Sequence, residues 1–236
     1  MIGILGKHPG FGDFISHGLG AANTAWFERW LGAVLPKVRS DLDSRWEAVY
    51  DNAADLRFWI GAQLIEGASG PAYGVLRASR DRVGRRYPLI AAAIGSSLYP
   101  PALETEQAPY EALSGAFDAL SEAPESAQAI ADKITEAAGD LAPCEPLGIG
   151  APLFAANPDP DPAGLWAVAS TIDHLRAASA RAYFWTKGDG ARAATVYSAA
   201  VMPDAAVLAW LWEGSALEAA VEEESGADPQ YEVGYE

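Results

Sequence analysis

The sequence predicts an α/β fold: a mixed β-sheet sandwiched between helices in three layers, forming a single compact domain. Three observations carry that expectation. Short apolar runs bounded by Gly, Ser and Pro read as strands, and they alternate with stretches whose apolar residues recur every three or four positions, as on a helix face. Helical stretches before, between and after the strand runs require a sheet covered on both faces. The chain also has the length and apolar content to fill such layers: 236 residues, half of them hydrophobic, with eight Trp, nine Tyr and seven Phe. A chain of this size buries roughly 70 % of its unfolded surface and needs no disulfide or metal to hold a core. Its aromatic content excludes intrinsic disorder.

In chain order, Ile2 to Leu5 is a strand that runs into Gly6-Lys7-His8-Pro9-Gly10-Phe11-Gly12-Asp13-Phe14. Three Gly and one Pro in seven residues there enforce a tight loop. Trp26, Phe27, Trp30, Leu31, Val34, Leu35 and Val38 fall at helical spacing, with Asn23 or Thr24 as N-cap. Pro36 is expected to kink or end that helix. Leu42 to Tyr50 makes a second helix, with Trp46 and Tyr50 four apart on one face. Arg57 to Ile60, Ala72 to Arg77 and Tyr87 to Ile94 are strands, and Ile2–Leu5 is expected in the same sheet as the last two. Pro109 to Leu120 and Ser126 to Ala138 are Ala-rich amphipathic helices. Residues 142–164 hold six Pro, centred on Asn157-Pro158-Asp159-Pro160-Asp161-Pro162, which marks an exposed loop and a sub-boundary. Leu165 to Ser170, Ala182 to Thr186 and Ala194 to Val201 read as three more strands, and Asp204 to Trp212 as a last helix. The domain is expected to end at residue 213. Residues 214–236 carry seven acidic side chains and no basic one, and are expected to form a mobile tail.

Charge narrows the function. The net charge is −16, but residues 1–100 hold 11 Lys+Arg against 9 Asp+Glu, while residues 101–236 hold 5 against 23. Nucleic-acid binding needs a basic footprint and is excluded. The single cysteine, Cys144, cannot form an internal disulfide or a thiolate cluster, and its acidic neighbour Glu145 gives a nucleophile poor activation. The first apolar segment is too short for a signal peptide, and no apolar run approaches the roughly 20 residues that cross a bilayer. The cytoplasm is the expected location.

Two loops hold the residues suited to recognition. The first is Gly6–Phe14. A phosphate loop would place Gly-Lys-Ser/Thr at its end, whereas here Lys7 comes early with no hydroxyl behind it. The dinucleotide fingerprint lacks its third glycine. The second is Arg77-Ala78-Ser79-Arg80-Asp81-Arg82-Val83-Gly84-Arg85-Arg86-Tyr87, with five Arg in ten residues between two strands. Guanidinium groups suit carboxylate or phosphate recognition, but an Arg cluster alone offers no nucleophile or base. His8, His17 and His174 lack the paired spacing of a zinc site. The candidate partner contacts are Lys7, His8, Gly12, Asp13, Phe14, Ser79, Asp81, Arg82, Gly84 and Arg85. No catalytic residue, metal or cofactor is expected. If the two loops meet, Asp13 and Asp81 either brace Arg82 and Arg85 or leave them free for an acidic partner. Arg85→Ala is expected to destabilise the fold, and Lys7→Ala to leave it intact while weakening function.

Taken in order, these segments resemble the TagF (ImpM) family of type VI secretion systems. Gly6-Lys7-His8-Pro9-Gly10-Phe11-Gly12-Asp13-Phe14 is similar to the family's opening glycine–lysine–x–proline–x–x–glycine–aspartate–phenylalanine. Trp26-Phe27-Glu28-Arg29-Trp30-Leu31 resembles its tryptophan-rich first helix, with Glu28 near the usual Asp, and Trp46, Tyr50, Arg57 and Phe58 match the next block. Ser79-Arg80-Asp81-Arg82-Val83-Gly84-Arg85-Arg86-Tyr87-Pro88-Leu89 resembles its serine–x–aspartate–x–valine–glycine–arginine–x–aromatic–proline–leucine element, although Ala78 stands where Pro is commoner. The resemblance is specific over residues 1–95, weaker over 96–200 and absent from the tail. It implies a non-enzymatic α/β protein that represses assembly of the secretion apparatus post-translationally, in the cytoplasm. The implied partners are the forkhead-associated scaffold protein or the membrane complex, with no nucleic acid and no membrane insertion. The rival reading of the same loops is a phosphate-ligand-binding or hydrolytic enzyme using Gly6–Phe14 and the Arg82/Arg85 cluster.

Overall fold

The computed structural model describes residues 2–68, 70–95, 98–120, 124–139, 163–189 and 192–214. Among these residues seven strands form one sheet: β1 (Gly3–Gly6), β2 (Ile15–His17), β3 (Leu56–Ile60), β4 (Ala72–Arg77), β5 (Leu89–Ile94), β6 (Ala182–Thr186) and β7 (Thr195–Ala199). The order across the sheet is β2-β1-β5-β4-β3-β6-β7. Every pairing is antiparallel, where strands of mixed direction were expected. The helices are α1 (Ala21–Leu42), α2 (Trp46–Asp51), α3 (Ala108–Asp118), α4 (Ala127–Ala138), α5 (Ala163–Ser179) and α6 (Ala205–Glu213).

The alternation of side chains along a strand sorts the core into two layers. Leu5, Phe58, Ile60, Leu76, Ile90 and Phe184 face one way and pack with Phe27, Leu31 and Val38 of α1, Tyr50 of α2 and Trp212 of α6. Their neighbours Ile4, Trp59, Tyr73, Val75, Ala91, Tyr183 and Trp185 face the other way, against Tyr110, Leu113 and Phe117 of α3 and Ile130 and Ile134 of α4. This is the expected three-layer sandwich. Because both faces are covered, β1, β3, β4 and β6 carry almost no exposed residue and read as continuous apolar runs.

Several helix boundaries follow from local chemistry. Ser126 Oγ accepts the Ala129 N–H at 3.1 Å and starts α4, and Asp204 Oδ1 accepts the Val207 N–H at 2.9 Å and starts α6. Asn23 and Thr24 do not cap α1. Gly20, at φ 76°, turns the chain out of β2 so that α1 begins at Ala21, and the Asn23 side chain donates back to the Leu19 carbonyl. Pro36 does not end α1 either. The helix runs through it to Leu42, held by Val34, Val38 and Leu42 buried on the sheet side. Residues 165–170 are helix rather than strand, the first half of α5. The short edge strand β2 has no counterpart in the sequence reading. The expected sub-boundary at 142–164 and the tail at 214–236 fall outside the described residues, save for 163, 164 and 214. No helix among the described residues is long and apolar enough to cross a membrane.

Candidate functional site

The register of the sheet brings the two loops together. Gly6 at the end of β1 and Arg77 at the end of β4 both pair with Leu89 at the start of β5. The Gly6–Phe14 loop and the β4–β5 hairpin therefore leave the same edge of the sandwich side by side. Two hydrogen bonds knit them: the Arg82 backbone N–H donates to the Phe11 carbonyl at 2.8 Å, and an Arg85 guanidinium N–H donates to the Gly12 carbonyl at 2.7 Å.

Asp81 is the centre of this corner and is only 2 % exposed. Its Oδ1 accepts the Val83 N–H at 3.1 Å and the Arg85 N–H at 2.9 Å. Its Oδ2 accepts Arg85 Nε at 2.7 Å and Lys7 Nζ at 3.0 Å. Burial works to raise the Asp81 pKa. The Arg85 amide, the Lys7 ammonium and the Arg85 guanidinium outweigh it and hold the carboxyl well below the usual carboxylate range. The turn that aims these amides closes with the Gly84 N–H donating to the Asp81 carbonyl, and Gly84 sits at φ 85°, where glycine carries no steric cost.

Lys7 is 6 % exposed. Besides Asp81 it meets the Phe14 ring, 5.1 Å from the centroid. The expectation that Lys7→Ala leaves the fold intact is corrected by this burial: removing the ammonium leaves the buried Asp81 carboxylate short of one charged partner. Lys7→Ala is expected to lower stability by about 2–3 kcal/mol, read as a lower midpoint in urea unfolding; an unchanged midpoint would place the lysine in solvent. His8 is buried as well. Its Nδ1 accepts the Gly10 N–H at 3.1 Å and its ring meets Phe11 edge-on, so it shapes the loop from within. Burial pushes its pKa down and favours the neutral ring.

The remaining sequence-predicted residues divide by exposure. Ser79 is half-buried, and its backbone N–H and C=O both bond the Tyr50 hydroxyl at 3.0 Å, which ties the base of the hairpin to α2. Tyr50 was legible only as a core aromatic beside Trp46. Gly12 is half-buried, and Asp13 is exposed and accepts the Phe14 N–H at 2.8 Å rather than pairing with an arginine. Phe14 is 48 % exposed with its ring edge-on to Tyr87 at 4.7 Å, and Val83 at the hairpin tip is 68 % exposed. Arg82 is exposed, and its guanidinium has no hydrogen bond or ion pair among the described residues. Of these two arginines, Arg85 is the brace and Arg82 is unpaired among the described residues. Among the described residues, no three His, Cys, Asp or Glu side chains gather as a metal ion would need.

The fold and this corner define a class: an α/β scaffold that holds two interlocked loops rigidly at one sheet edge and turns an apolar and cationic tip outward. The chain belongs to the TagF family, since the sequence model of the TagF N-terminal domain, type VI secretion system-associated, matches residues 3–137. Both loops lie inside that match. Among solved structures, the crystal structure of PA0076 from Pseudomonas aeruginosa PAO1, at 2.05 Å resolution, is similar with a TM-score of 0.71 and 22 % sequence identity. The likeness covers 97 % of this chain and 100 % of that one, and it shows the shared fold. The comparison with curated proteins returns no significant match.

Proposed function

We propose that this chain is a non-enzymatic repressor of type VI secretion that acts in the cytoplasm by binding a component of the apparatus through the paired loops. The forkhead-associated scaffold protein and the membrane complex are the two proposed partners. One observation carries the reading. Asp81, Lys7 and Arg85, which a hydrolase would need free, are spent on holding the loops together, while the Arg82 and Val83 side chains stand in solvent and Phe14 is half exposed. Each oxygen of Asp81 already accepts two hydrogen bonds, which fills the acceptor capacity of a carboxylate and leaves no lone pair to take a proton. A rigid loop pair with an apolar and cationic tip suits a protein surface carrying a carboxylate beside an apolar pocket.

The test is the double variant Arg82→Glu with Val83→Asp, assayed in cells with an active type VI system. Both side chains lie in solvent, so stability is expected to stay within about 0.5 kcal/mol of wild type. Repression of secretion is expected to be lost. A folded double variant that represses as well as wild type would remove the loop tip from the binding surface.

A further inference from the structure

Beside the hairpin lies a concave surface. An open groove of about 660 Å³ runs between α1, α2 and the Gly84–Tyr87 end of the hairpin. Its floor is apolar and aromatic, made by Leu35, Trp46 and Tyr87. Its rim carries Arg39, Arg85 and Arg86, with Glu47 as the one acidic side chain. That charge is opposite in sign to the protein as a whole, at −16. Arg86 is engaged by Asp51 and Glu47. The Arg39 guanidinium has no partner among the described residues, and Arg85 engages Nε and one terminal nitrogen, leaving the other terminal nitrogen available.

Two features of α1 point into the same groove. Pro36 has no N–H to donate to the carbonyl four residues back, which is that of Gly32, and both residues line the groove. One helical acceptor is therefore left open there. A Cβ on Gly32 would meet nothing within 4 Å. Glycine weakens a helix interior relative to alanine, so packing within the described residues gives no reason for it. A missing side chain beside an open carbonyl leaves room for a second backbone to approach and donate an N–H.

We infer that this groove takes an extended acidic peptide segment of the protein partner, with an apolar or aromatic side chain on the Trp46 floor and flanking carboxylates on Arg39 and Arg85. The inference deepens the repressor reading and rests on it for the identity of the segment's owner. The carboxylates answer the cationic rim, the apolar side chain answers the floor, and the peptide N–H answers the Gly32 carbonyl.

The probe is a fluorescein-labelled hexapeptide with Trp-Leu at its centre and two Glu on each side, compared with its counterpart carrying Lys in place of Glu. Each is titrated with the full chain at low ionic strength and followed by fluorescence anisotropy. The acidic peptide is expected to bind and the basic one not to. Gly32→Leu, which fills the groove on a helix surface, and Arg39→Glu, which reverses its rim, are each expected to weaken binding on the order of tenfold or more, while both variants stay folded and Gly32→Leu melts no lower than wild type. Failure of the acidic peptide to bind wild type overturns the groove, as does equal affinity for wild type and Gly32→Leu. Binding that appears only after residues 215–236 are deleted also overturns it and assigns the groove to this chain's own acidic segment. Secretion assays separate the two readings. If wild type represses and Gly32→Leu represses equally while losing the peptide, the groove is not the partner site and the repressor reading stands. If wild type does not repress, the repressor reading falls on its own.

Discussion

Gly6→Ala is expected to destabilise the native fold severely. Gly6 ends β1 at φ 137°, a backbone conformation that L side chains rarely adopt. A Cβ there would lie 1.9 Å from the Pro88 carbonyl oxygen and 2.9 Å from Leu89 Cα. Both are backbone atoms, one in β5 and one in the residue just before it, so relief requires pulling β1 away from β5. Losing that ladder takes β2 and the Gly6–Phe14 loop with it. The cost is expected above about 4 kcal/mol, against a total stability of about 5–15 kcal/mol for an ordinary domain. Gly32→Ala is the control, since its Cβ meets open space, and it is expected to gain about 0.5–1 kcal/mol. Thermal melts followed by far-UV circular dichroism read both. A Gly6→Ala protein melting with wild type would contradict the β1–β5 register.

Asp81→Ala is expected to be nearly as damaging, by electrostatic rather than steric means. It strands the Lys7 ammonium without its counter-charge and frees the Val83 and Arg85 amides that shape the hairpin. Both loops are expected to lose protection in amide hydrogen exchange, and repression is expected to be lost with them. Asp81→Asn separates charge from shape. The folded-state pKa of Asp81 lies below its ordinary value. The stability this carboxylate brings is therefore complete above the unfolded value of about 3.9 and is lost as the pH falls through the folded value. The gap between wild type and Asp81→Asn should be constant near neutrality and narrow progressively below about pH 4. A gap that is independent of pH would mean that Asp81 does not act through its charge.

How far the sequence revealed all this depends on how local each signal is. The strands beside the site were legible because their apolar runs end at turn residues, and the caps Ser126 and Asp204 sit one residue before the helices they begin. Residues 165–170 misled because a short apolar run has no period of its own. Only the full length of α5, through Ser179, distinguishes helix from strand. Pro36 misled because tertiary packing on the opposite face of α1 outweighs one missing hydrogen bond. At the site, the hairpin turn and the Asp81–Arg85 brace are four residues apart and were readable. The burial of Lys7 was not: a lysine is normally solvated, and its partner sits on a strand pair most of the domain's first half away. The exposure of Val83 and the role of Tyr50 likewise depend on which elements happen to stand next to the hairpin.

The same remoteness governs when the corner can exist. Gly12 and Arg85, whose hydrogen bond joins the two loops, are 73 positions apart. β1 can pair with β2 at once, yet its other neighbour, β5, follows only after β3 and β4 have been synthesised. Closing so long a segment costs chain entropy that the β1–β5 ladder must offset, and non-local strand pairing of this kind is slow. The outward tip is thus a product of completed folding, and on the proposed function a nascent or half-folded copy would lack the surface that engages a partner.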